Sequence, residues 1–178
     1  MTGRAGQSGE PTGDDRATRS KYSTPELIRW FRIAAKSRNA MIKAGATDNV
    51  GAIHSATRVL DILAQRVKYN AVGHIRHLRD HPEIEFSVEA KAAYRRNPKD
   101  RDLMIEHVAP SREFTCKAID LVTKHESDGP LLRFIKKHYR IVILTREETI
   151  HLNRKNRSQM DQQRLEKAGI ELESIGAV

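Results

Sequence analysis

Apolar residues along the first seventy positions recur every three or four places, the period of helices with one buried stripe. Ser23-Thr-Pro25-Glu26 supplies a start, with a hydroxyl, a proline near the first helical position and a glutamate three residues after Ser23. Leu27, Trp30, Phe31, Ala34, Met41 and Ile42 follow at helical spacing, with Arg29, Arg32, Lys36 and Lys43 opposite them. Gly45-Ala-Thr47-Asp48-Asn49 breaks this helix and caps the next. There Ile53, Ala56, Leu60, Leu63, Val67 and Ala71 form a seam, which suits either an antiparallel helical hairpin or a homodimer joined through 53–67. Gly73 ends or bends the helix.

Further on the rhythm shortens. Ser87-Val-Glu89 opens a helix that stops at Asn97-Pro98, because a residue before proline avoids the helical region. Residues 103–108 read as a strand with Leu103, Ile105 and His107 on one face and Met104, Glu106 and Val108 on the other, although a short helix also fits. Two helices follow, the first capped by Ser111, parted by the turn Glu126-Ser-Asp128-Gly129-Pro130. The β-branched run at 139–144 is the clearest strand. Thr145-Arg-Glu147-Glu148 then matches a capping box, with Glu148 as the cap. Ser158 opens a last short helix that Gly169 stops. The predicted fold is mostly α with a small α+β element of two strands or fewer, against which the N-terminal hairpin packs. The segments are a disordered tail at 1–22, a helical region at 23–97, a core at 98–170 and a short tail at 171–178.

Composition narrows the class. A chain of 178 residues with 38% apolar and 31% charged positions builds one domain, or a small core with an accessory helical piece. No apolar run nears the roughly 20 residues of a membrane span, and no signal-peptide pattern is present, so a cytoplasmic protein is expected. The single cysteine, Cys116, excludes an internal disulfide and a cysteine-built zinc site, and reads as a small apolar residue of a packed helix. A net charge of +9 and a pI near 9.9 fit nucleic acid, an anionic membrane surface or an acidic protein partner; nucleic acid, DNA ahead of RNA, comes first and a membrane is not expected, because no strongly amphipathic terminal anchor helix is visible. Lys91, Arg95 and Arg96 form one basic block and Arg154 and Arg157 a second, both suited to phosphates. Tyr94, within the first block, either stacks on a base or packs on the core. His74, His77 and His81, interleaved with Arg76 and Arg79, read as a basic helix face rather than a zinc site.

Two stretches carry chemistry: Asp102-Leu-Met-Ile-Glu106-His107-Val-Ala-Pro110, and the strand-to-helix switch from Tyr139 to Asn153. Phosphodiester hydrolysis needs a base for water, a divalent cation against developing charge, and cationic side chains on the backbone. A neutral imidazole suits the base, and carboxylate, histidine or asparagine on a helix suits Mg²⁺ or Mn²⁺. Glu106, His107, Glu147, His151 and Asn153 supply those types.

Glu106-His107-Val-Ala-Pro110 resembles the first motif of the HNH, or ββα-metal, nucleases, over about residues 102–157. The resemblance implies a ββα-metal core, with His107 as general base and Glu106 as a metal ligand. It also implies a last ligand on the helix after the second strand, His151 first and Glu147 next. In that family an asparagine between the strands orients the histidine, and the segment from Ser111 to His138 contains none. The cysteine pairs of many members are also missing. The expected function is a small Mg²⁺- or Mn²⁺-dependent endonuclease acting on DNA. The alternatives are a non-enzymatic nucleic-acid-binding protein, as monomer or dimer, and an interaction or inhibitor protein for an acidic partner.

Overall fold

The computed structural model describes residues 22–71, 78–157, 160–161 and 163–173. The expected tail before residue 22, the His74 and His77 turn with Gly73, and the Ser158 cap lie outside the described residues.

Helix α1, Thr24–Lys43, starts at the expected capping box, in which the Ser23 side chain accepts from the Glu26 amide and Glu26 accepts from the Ser23 amide. Leu27, Ile28, Phe31 and Ala35 are its buried stripe. Gly45, at φ 93°, turns the chain through a short 3-10 segment, Asp48–Val50, into α2, His54–Tyr69. Ala56, Leu60, Leu63 and Ala64 of α2 are buried in the chain's own core. The two helices form the expected hairpin, and α2 also packs on α4 and α5. The seam read at 53–67 therefore faces inward, as a hairpin requires. Helix α2 ends at Asn70, which adopts φ 49°, before the expected Gly73.

Strand β1 is the pair Glu85–Phe86, followed by α3, Val88–Arg96. Strand β2, Leu103–His107, leads to α4, Ser111–Lys124, and α5, Gly129–His138. Strand β3, Ile141–Thr145, runs into α6, Arg146–Lys155, and a final turn α7, Arg164–Lys167, precedes Gly169 at φ 69°. Pro110, not Ser111, occupies the cap position of α4, and no side chain caps that end.

The sheet has the order β1-β3-β2, so the last strand made is the central one. β3 pairs parallel to β1 and antiparallel to β2, with Ile105 opposite Ile143 and His107 opposite Ile141. Ile141 to Leu144 are all fully buried, as a middle strand covered on both faces demands. The α1–α2 hairpin and α4–α5 cover one face, where the principal core joins Leu27 and Phe31 to Phe114, Ile135 and Ile143. On the other face α6 and α7 cover Val142 and Leu144 through Leu152 and Leu165. A mostly helical chain with a small sheet was expected, and the structure has that form. The third strand is the addition: Glu85–Phe86 is too short to show alternation, and pairing with β3 makes it a strand. The main core and the sheet both cross the expected boundary between 97 and 98, because β1 belongs to the same sheet as β2 and β3.

Candidate functional site

The pleat of β2 sends Glu106 and His107 to opposite faces of the sheet. His107 turns toward α2, where its Nε2 lies 3.1 Å from Asp61 Oδ1. The same oxygen accepts from the Tyr139 hydroxyl at 2.6 Å, and Asp61 Oδ2 accepts from the Gln65 amide at 2.9 Å. Arg58 stands 3.5 Å from Oδ2. Burial pushes the Asp61 carboxyl upward, but His107, Tyr139 and Arg58 together outweigh it, and the net shift is below the usual range. Tyr139 is held protonated by its own burial and by the charge on Asp61. An ionised carboxylate only accepts, so Asp61 fixes the proton of a neutral His107 on Nε2 and leaves Nδ1 as the basic nitrogen.

Glu106 turns the other way, toward α6 and Arg164. Burial raises its carboxyl pKa, against the opposing influences of Arg164, His107 and the Asn153 side chain. Asn153 donates to the Thr149 carbonyl at 3.0 Å and accepts from Arg164 at 3.1 Å. The guanidinium of Arg164 also donates to the carbonyls of His107 and Asn156, at 2.8 Å each, and is almost wholly buried. Burial lowers the pKa of Arg164, while the Glu106 charge opposes that shift. One turn before Asn153, the buried Thr149 hydroxyl has no hydrogen-bond partner.

One groove of about 970 Å³ is lined by Glu106, His107, Thr149 and Asn153 with Arg112, Arg154, Arg157 and Arg164, while Asp61 and Tyr139 lie outside it. A smaller cavity of about 290 Å³ adjoins it, and His107 and Ser111 belong to the walls of both.

The sequence-selected residues divide accordingly. Glu106, His107, Arg154 and Arg157 line the groove. His151 and Glu147 are exposed on α6 and do not line it; the α6 residues that do are Thr149, Ile150, Asn153 and Arg154. Glu148 caps α6, accepting from the Thr145 amide at 2.8 Å and the Ser87 hydroxyl at 2.6 Å. Lys91, Arg95 and Arg96 lie on α3, away from the groove walls; Lys91 sits 4.4 Å over the Phe86 ring and Arg95 pairs with Glu173 at 2.6 Å. Tyr94 packs beside Phe86 and donates to Asp80 at 2.7 Å.

Sequence reasoning passed over Asp61, Arg112, Arg164 and the Tyr139 hydroxyl. A signal for Asp61 was present: Asp61 and Gln65 form an i,i+4 polar pair beside the most apolar stripe of the chain.

A hydrated magnesium-type ion takes oxygen ligands and keeps several waters. The Glu106 carboxylate, the second lone pair of the Asn153 carboxamide oxygen and the unpartnered Thr149 hydroxyl fit such an ion. Among the described residues no group of three His, Cys, Asp or Glu could hold a metal, so the set depends on these neutral oxygens. No family model, curated protein or solved structure matches the chain.

Proposed function

We propose that the protein is a small metal-dependent endonuclease that hydrolyses DNA phosphodiesters, with His107 as general base. The observation that carries this reading is that Glu106, His107 and Asn153 line the same groove as four arginines. The β2–β3 pair followed by α6 also accords with the layout of the ββα-metal nucleases. The orienting asparagine missing between the strands has a functional substitute in Asp61, which approaches His107 from α2.

In this mechanism Arg112, Arg154 and Arg157 hold the backbone by charge-assisted hydrogen bonds. His107 Nδ1 removes a proton from water as the water oxygen bonds to phosphorus. The bond from phosphorus to the leaving oxygen breaks on the far side, and that oxygen takes a proton from solvent. Asp61 is a positioning residue that stabilises the imidazolium. Glu106 and Asn153 would hold the metal ion, with Thr149 beside them, and when bound it would supply neutralisation of developing negative charge.

The test is incubation with supercoiled plasmid and Mg²⁺ or Mn²⁺. Nicking or linearisation that His107→Ala abolishes is expected. Cleavage that survives in His107→Ala rejects the proposed base, and steeply salt-dependent binding without cleavage supports a non-enzymatic binding protein instead.

A further inference from the structure

The cavity behind His107, which Asp61 also lines, is given no substrate group in that mechanism. Leu60, Phe114 and Tyr139 form its wall, and the two rings lie 5.8 Å apart, with Tyr139 in edge contact with His107 at 5.7 Å. The polar groups of the wall are mostly engaged with one another, and Asp61 is held by His107, Tyr139 and Gln65. The hydroxyls of Thr57 and Thr115 donate to the carbonyls of Ile53 and Ser111, at 3.1 and 2.7 Å, and so keep only acceptor capacity for a guest. His54 and Arg58 stand at the exposed rim.

A volume of about 290 Å³ is at the small end for a ligand pocket. Its ring-lined wall suits a flat, mostly apolar guest, and its acceptors suit one bearing N–H groups. A nucleobase has both properties and exposes both when it leaves the stack. His107 and Ser111 wall both spaces, so the cavity opens beside the groove.

We infer that this cavity is a subsite for one unpaired nucleobase of the strand whose backbone lies in the arginine groove. The inference rests on the nuclease reading for its substrate. It adds that the protein prefers single-stranded or locally unpaired nucleic acid, since a base held in a duplex cannot enter.

The test compares metal-free binding of a short end-labelled single strand with that of the same strand made abasic throughout, by fluorescence anisotropy. The strand with bases binds about tenfold more tightly, the contribution of one stacked base. Thr57→Phe fills the cavity and removes that ratio, while affinity for the abasic backbone stays the same. Thr57→Leu serves as the second variant if the larger ring prevents folding, with melting as the check. A ratio near one in the native chain overturns the subsite, as does a ratio that persists in the filled variant. Plasmid cleavage is scored separately. Cleavage without the ratio rejects the subsite alone, whereas the ratio without cleavage rejects the nuclease and leaves a base-binding site.

Discussion

His107 Nε2 meets Asp61 Oδ1 at 3.1 Å across 46 residues of sequence, and this contact joins the N-terminal hairpin to the candidate site. Asp61→Asn preserves the shape but removes the charge that faces the imidazole. Cleavage should fall roughly ten- to a hundredfold, as when a group that orients a catalytic ligand is lost. The loss should appear in kcat rather than KM, with an altered pH–rate profile. An unchanged profile would assign Asp61 a packing role only.

Acid sensitivity tests the same pair by equilibrium means. The folded-state pKa of Asp61 is depressed. Its stabilisation is therefore present above the unfolded value near 4 and is lost as the pH falls through the lower folded value. Melting temperatures measured from pH 7 to pH 2 should converge for the native chain and Asp61→Asn at the acid end. Parallel curves would contradict the depressed pKa.

Glu106 has the opposite sign. Its raised folded pKa means that the ionised form is disfavoured by folding above that value, and the penalty disappears below the unfolded value near 4.3. Glu106→Gln should therefore raise the melting temperature at pH 7 and leave it unchanged near pH 3. The same substitution should abolish Mg²⁺-dependent cleavage. A variant that is less stable at pH 7 would show that the carboxylate is well solvated or well paired.

The arginines separate into two kinds. Arg112→Ala, Arg154→Ala and Arg157→Ala should each weaken DNA binding and reduce the salt slope by about 1. Replacing Lys91, Arg95 and Arg96 together should change that slope less, because they lie outside the groove. Arg164→Ala should instead lower stability, since the His107 and Asn156 carbonyls lose a buried donor. Filter binding across a salt series, with melting curves alongside, distinguishes the two behaviours.

A cap variant provides the control. Glu148→Ala removes the acceptor for the Thr145 amide and the Ser87 hydroxyl. Stability should fall by about 1 kcal/mol, with kcat retained. A large loss of kcat in a folded variant would place Glu148 in the chemistry.

Local rules made much of this molecule legible. The Ser23 and Thr145 capping boxes, the stop before Pro98 and the apolar run at Ile141 each act within a few residues, and each appears where the pattern put it. Glu85–Phe86 was hidden because its strand state comes from a partner more than fifty residues away. On α6 the helix was legible but its rotation was not. Only packing of Leu152 and Thr149 onto the sheet turns Asn153 inward and leaves His151 outside. Asp61 was hidden for the same reason, as its role depends on β2 and Tyr139 arriving beside α2.

The strand order β1-β3-β2 has a consequence for synthesis on the ribosome. Neither β1 nor β2 has a strand neighbour until residues 141–145 have emerged, so the sheet cannot grow in the order in which the chain is made. The α1–α2 hairpin can form early, but Asp61 then lacks both His107 and Tyr139. Sheet closure and completion of the Asp61 network therefore belong to one late event. Nascent chains ending before β3 hold every other strand and helix of the hairpin region, yet no assembled candidate site.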